Sequence, residues 1–186
     1  MGRSIAKELS ENLGIEFLDR DIVEATAKRM GLPVSVISDE EESMKSTFFR
    51  RQYPLGMGMS SLKDEIFYTQ KNIIRDFAAK DSCIIVGRCA DYALADEPHC
   101  LNIFIRSNMD DRIKRISERL NVPENKAKDI IKKKDKERSS YYNYYTSKKW
   151  GDARSYDLCL NTSQISVEDS IELILKYREC MRNHNK

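Results

Sequence analysis

A chain of 186 residues is long enough for one sizeable core and short for two, so a single domain is expected over 1–186. Thirty-two basic residues against 30 acidic ones leave a formal net charge of +2, so any basic patch is local, which weakens a general nucleic-acid-binding reading. No apolar run approaches the roughly 20 residues that span a bilayer, and the N-terminus lacks the apolar core of a secretory signal. Cys83, Cys89, Cys100, Cys159 and Cys180 form no CxxC pair, and His99 and His184 have no metal-ligand spacing. The expectation is a soluble, reduced, cytoplasmic protein without a zinc centre.

In chain order, Ile5, Leu9 and Leu13 stand four apart and predict a first helix that Gly14 ends. "IEFLD" (15–19) is followed by a second helix, with Asp19 as its cap and Gly31 as its terminator. Residues 39–60 run from acid through paired arginines to Pro and Gly between methionines, so no period fits and a mobile insertion is expected. A helix through "LKDEIFYTQKNIIRDFAAK" leads to "CIIVG" (83–87), and "LNIFI" (101–105) is a second β-branched run. Asn108 is the expected cap of "MDDRIKRISERL", and Pro123 falls in the first turn of a long helix ending in "YYNYY". "DLCLN" (157–161) precedes a last helix, for which Ser166 and Asp169 form a capping-box pattern. Short apolar strands alternating with helices predict an α/β fold, a parallel sheet covered by helices on both faces.

Ligands of open parallel sheets bind beyond the carboxyl ends of the strands. The residues there are Asp19-Arg20-Asp21, Gly87-Arg88, Arg106 and Asn161-Thr162-Ser163. Arginines repeated along one rim suit a phosphate, because the guanidinium fork matches phosphate oxygens.

"SIAKELSENLGIEFLDRDIV", "CIIVGRCADYAL", "NIFIRSNMDDRIKRI", "DKERSSYYNYYTSKKWGD" and "YDLCLNTS" together resemble the cytidylate kinase-like family of P-loop proteins, relatives of bacterial CMP kinase. The resemblance covers essentially the whole chain in the same order. It implies a three-layer P-loop fold, ATP with Mg2+ as phosphoryl donor, a nucleoside monophosphate or other small phosphate-bearing acceptor, and a mobile lid. It implies that Arg88 holds the acceptor's phosphate and that Asp19 and Arg20 line the acceptor site, where CMP kinases carry a serine in place of Arg20. Arg112 and Arg115, on one helical face, would approach the donor. "MGRSIA" matches the end of a phosphate-binding loop, so Gly2, Arg3 and Ser4 would meet the donor and the Ser4 hydroxyl would ligand the metal. Gly2 falls at the place of the usual P-loop lysine, and Arg3 or the lid would supply the missing cation. The fold's first strand and the leading glycines are not in this sequence, and the native protein is expected to extend upstream of Met1.

Residues 132–152, "KKKDKERSSYYNYYTSKKWGD", mix tyrosines and Trp150 with a local excess of cations, seven basic residues against two acidic ones over 132–149. Cations with interleaved aromatics suit nucleic acid. The resemblance implies instead a lid that sets Arg138 and nearby lysines against the transferring phosphoryl group, with Asp135 or Glu137 as its acid. A plainer expectation for "YYNYY" is one face of tyrosines packed on the body and the other in water, with Trp150 anchoring the loop. The favoured reading is a phosphotransferase acting on CMP, dCMP or a similar acceptor. Its rivals are a catalytically weak nucleotide-binding regulator, a kinase of another small acceptor, and a nucleic-acid-binding module.

Overall fold

The computed structural model describes residues 1–42 and 62–184. They form α1 (Gly2–Leu13), β1 (Glu16–Leu18), α2 (Arg20–Met30), α3 (Val34–Glu42), α4 (Leu62–Ala78), β2 (Cys83–Ile85) and α5 (Ala90–Ala93). There follow β3 (Ile103–Arg106), α6 (Met109–Leu120), α7 (Glu124–Thr146), a 3-10 turn at Ala153–Ser155, β4 (Leu158–Asn161) and α8 (Val167–His184). Among the described residues, no helix is long and apolar enough to cross a membrane.

The fold is α/β with parallel pairing, but the strands do not join into the single sheet that the sequence suggests. β1 pairs with β2, Glu16 opposite Cys83 and Leu18 opposite Ile85. β3 pairs with β4, Ile103 opposite Leu158 and Arg106 opposite Asn161. β2 and β3 share no hydrogen bonds, so there are two separate two-stranded sheets. Apolar packing joins them instead. Ile5 and Leu9 of α1 sit in one cluster with Ile84 of β2, Ile103 and Ile105 of β3, Leu160 of β4, and Ile171 and Ile174 of α8.

A second core holds Leu18 of β1, Ile22 of α2, Ile73 and Ile74 of α4, and Ala93 and Leu94 at the end of α5. Fully burying side chains of this size stabilises the fold by about 1.5–3 kcal/mol each. The α3 helix corrects the expected start of the insertion at residue 39. Ile37 is fully buried against Val23, Ala27 and Ile66, and the helix it anchors runs on to Glu42. The rest of the expected insertion, 43–60, lies outside the described residues.

Helix ends follow the sequence at α1 and α2, where Gly14 and Gly31 adopt φ of 62° and 66°, left-handed values that glycine reaches without a Cβ clash. Two expected caps fail for one reason: the side chain is engaged elsewhere. Asp19 stands at the N-cap of α2 but makes no cap bond, because its carboxylate accepts from Arg3. Asn108 stands at the N-cap of α6, and its Oδ1 accepts from Asn161 instead. At α8 the capping box forms in both directions: Asp169 N–H donates to Ser166 Oγ, and Ser166 N–H donates to the Asp169 carboxylate, each at 3.0 Å.

Candidate active site

Two groups of functional side chains lie at the carboxyl ends of the strands. The first lines a cleft of about 350 Å3 between the start of α1, the end of β3, α6 and α7. Arg106 enters from the end of β3, Arg112 and Arg115 from α6, Arg138 and Asp135 from α7, and Gly2 from the first turn of α1. Four arginines face one carboxylate, so the cleft is strongly cationic.

Arg112 grips Asp135 with both arms of its guanidinium, Nη1 and Nη2 each donating at 2.7 Å to one carboxylate oxygen. Arg138, one turn further along α7, stands 3.8 Å from the same carboxylate. Asp135 therefore spaces two arginines that would otherwise repel, and it fixes α7 against α6. The walls are aromatic: Phe104 meets Trp150 edge to face at 5.5 Å. The backbone N–H of Trp150 also donates to Asn143 Oδ1 at 2.8 Å, so the residue anchors the loop as the sequence suggested.

The second group lies at the ends of β1 and β2. Arg88 follows β2 with φ of 56°, between Gly87 at 75° and Cys89 at 52°. Left-handed backbone costs a non-glycine residue about 1–2 kcal/mol, so Arg88 and Cys89 hold strain that the surroundings must offset. Burial pulls the Arg88 guanidinium down from its ordinary value, while the negative charge of Asp19 and the Tyr141 hydroxyl act to raise it. A half-buried arginine within the field of a carboxylate is poised for an anion. Asp19 also accepts from Arg3, whose guanidinium lies over the Phe17 ring at 5.6 Å. Arg20, in the first turn of α2, is exposed.

A row of tyrosines on α7 joins α7 to this second group. Tyr142 donates to Asp91 at 2.6 Å, and Tyr145 donates to Asp64 at 3.0 Å. Tyr145 stacks on Phe67 at 4.0 Å, Tyr141 is edge-on to Phe67 at 6.3 Å, and Tyr144 points to solvent. The tyrosines thus pack on the body along one face and leave the other wet. Burial, then the bond to Asp91, pushes the Tyr142 phenol well above its ordinary value; burial does the same to Tyr141. The neighbouring Cys89 thiol is pushed up to about 12, by burial first and then by Asp91.

Of the residues singled out from sequence, Gly2, Arg112, Arg115, Asp135 and Arg138 meet in the cleft, and Arg88, Asp19 and Arg3 cluster at the other strand ends. Ser4 is exposed on α1, two residues beyond Gly2, and is not among the cleft-lining residues. Lys133 and Lys134 lie 3.9 and 3.4 Å from the Glu137 carboxylate, whose side chain is largely buried. Sequence reasoning passed over Asp91 and gave Tyr142 no role. An acid in a four-residue helix carries no periodic signal, and its partner lies 51 positions away.

The donor set of the cleft fits a polyphosphate. The first turn of α1 adds backbone N–H groups and the positive end of a dipole to the arginines. The Ser4 hydroxyl expected to ligand Mg2+ lies outside this lining, so the cleft residues do not place it on the ion; Mg2+ commonly takes few protein ligands and completes its shell with water and phosphate oxygens.

A model of the cytidylate kinase-like family matches residues 1–164. A cytidylate kinase of Sulfolobus acidocaldarius is 26% identical over 181 residues, covering 92% of this chain and 85% of that protein. Among solved structures, the crystal structure of an uncharacterized protein from Eubacterium ventriosum superposes with a TM-score of 0.71 at 29% identity, covering 96% of this chain and 91% of that one.

Proposed function

The chain belongs to the cytidylate kinase-like family, and from that premise we propose that it is a phosphotransferase that moves the γ-phosphoryl group of ATP to CMP, dCMP or a similarly small phosphate-bearing acceptor. Its fold on this reading is the three-layer P-loop arrangement of nucleotide kinases. One arrangement carries the proposal: Arg106, Arg112, Arg115 and Arg138 line a single cleft at the start of α1, with Asp135 as the carboxylate among them.

Phosphoryl transfer asks a protein mainly for positioning and for charge. An acceptor phosphate oxygen attacks the γ-phosphorus in line, and the bond from that phosphorus to the β-phosphate oxygen breaks. Negative charge spreads over the equatorial oxygens as it does so. Arg112 and Arg138, set in advance by Asp135, meet that charge without reorganising, with Arg115 lining the same cleft. Arg88, in the field of Asp19, holds the acceptor, and Arg20, next to Asp19 in the chain, would line its approach. Mg2+ would come with the donor phosphates and neutralise charge between them, since Ser4 stands outside the cleft lining.

A second reading, a nucleotide-binding regulator with weak catalysis, has its own observation. In G-K-[ST] the lysine directly precedes the Ser/Thr, so with Ser4 in that position its place falls to Arg3 and not to Gly2, and Arg3 is engaged by Asp19. ADP production with Mg·ATP against CMP, dCMP, UMP, AMP and GMP, with Arg88→Ala as control, separates the two. Acceptor-dependent turnover lost in the mutant supports the kinase and identifies its base. ATP binding without turnover on any acceptor supports the regulator.

A further inference from the structure

The loop after β2 is strained and needs an external hold. Gly87, Arg88 and Cys89 are three successive left-handed residues, and α5, which follows them, is only four residues long. Two side chains from other elements fix this piece. Arg75 of α4 donates to the Ala93 carbonyl at 2.8 Å, at the end of α5. Tyr142 of α7 donates to Asp91 at 2.6 Å, three residues after Arg88. That second bond is shielded: Tyr142 is 6% exposed and the Asp91 side chain 13%. Lys148, beyond the end of α7, lies 3.9 Å from the same carboxylate.

The bond has an unusual placement. Arg138 sits on α7 four residues before Tyr142, one turn or about 6 Å along the same face. Asp135, which holds Arg112 and stands near Arg138, is less than one further turn back. One rigid helix therefore carries the cleft's charged group at one point and the hold on the Arg88 loop at another. We propose that Asp91 and Tyr142 are a positioning pair that sets the distance between the acceptor-holding Arg88 and the phosphoryl-facing Arg112–Asp135–Arg138 group. The inference rests on the kinase reading and adds to it the link that aligns its two halves. Each substrate keeps its own contacts when the link is cut, but the attacking oxygen and the γ-phosphorus lose alignment, and small misplacements are costly in an in-line reaction.

Tyr145 supplies the internal control. It also donates from α7 to a carboxylate, Asp64 at 3.0 Å, but Asp64 lies on α4 and not on the short helix α5 that follows Arg88. The experiment measures kcat, both KM values and the melting temperature for wild type, Tyr142→Phe, Asp91→Ala, Asp91→Asn and Tyr145→Phe, using ATP and the best acceptor of the five monophosphates. Tyr142→Phe and Asp91→Ala are expected to lower kcat roughly 10- to 100-fold with KM values within about threefold of wild type. Asp91→Asn, whose amide oxygen still accepts from Tyr142, is expected to recover most of kcat. Tyr145→Phe is expected to lower the melting temperature comparably and leave kcat within about twofold. Wild-type kcat in Tyr142→Phe, or an equal kcat loss in Tyr145→Phe, overturns the pair's role while the kinase reading stands. A wild-type protein that turns over none of the five acceptors overturns the kinase reading, and this inference with it.

Discussion

Arg112 and Asp135 meet fork to fork, two hydrogen bonds of 2.7 Å joining α6 to α7 across 23 residues of chain. The side chains are 27% and 23% exposed, so solvent screens the pair less than it would a surface bridge. Asp135→Ala leaves Arg112 without its acceptor and next to Arg138. A loss of about 1–3 kcal/mol in unfolding free energy is expected from urea titration, together with lower kcat/KM for ATP. An unchanged urea midpoint would show the pair to be incidental.

Arg88→Ala tests the other strand end. A half-buried guanidinium that holds a phosphate through charge-assisted bonds contributes about 2–4 kcal/mol to kcat/KM. The mutant is expected to lose that much with the preferred acceptor while its ATP affinity, measured by calorimetry, stays near wild type. Equal weakening for ATP would move Arg88 to the donor side.

These contacts differ in how legible they were before the fold was known. Arg88 and Arg106 stand at strand ends, where topology alone marks a ligand rim, and the β-branched runs beside them are easy to read. Arg112 and Arg115 share a helical face by spacing. The Arg112–Asp135 bond was not legible, since no local pattern links residues on two helices. Asp19 illustrates a different failure: local propensity favours a helix cap, but the tertiary partner Arg3 takes its carboxylate. The separation of the strands into two pairs also escapes pattern, because apolar alternation predicts burial and not which backbone edges bond.

Two adjacent tyrosines give a contrast in sign. The Tyr141 hydroxyl is buried without a hydrogen-bond partner among the described residues, whereas Tyr142 donates to Asp91. Replacing an orphaned polar group by an isostere is neutral or stabilising; removing one that serves a carboxylate is not. Tyr141→Phe is expected to unfold within about 0.5 kcal/mol of wild type or above it, and Tyr142→Phe about 1.5–3 kcal/mol below it. Equal losses in the two would mean that Tyr141 has a partner the geometry does not reveal.

The same region should set the alkaline limit of stability. Cys89 is raised from 9.0 to about 12, chiefly by burial and then by Asp91, and burial also raises Tyr141, Tyr142 and Tyr145. Below pH 9 folded and unfolded chains both keep the thiol proton, and this group leaves stability flat. Above pH 9 the unfolded chain releases it while the folded chain does not, so the unfolded state binds fewer protons and stability falls as pH rises toward 12. The tyrosines act with the same sign from their ordinary value of 10.0 upward. Melting temperature is therefore expected to hold between pH 7 and 8.5 and to drop steadily beyond 9, and Cys89→Ser should flatten the first part of that decline. At pH 8 iodoacetamide should label the exposed Cys159 and Cys180 and spare Cys89 in the folded protein. Rapid labelling of Cys89 under those conditions would mean that the loop carrying Arg88 opens readily, and the strain assigned to it would then not be held.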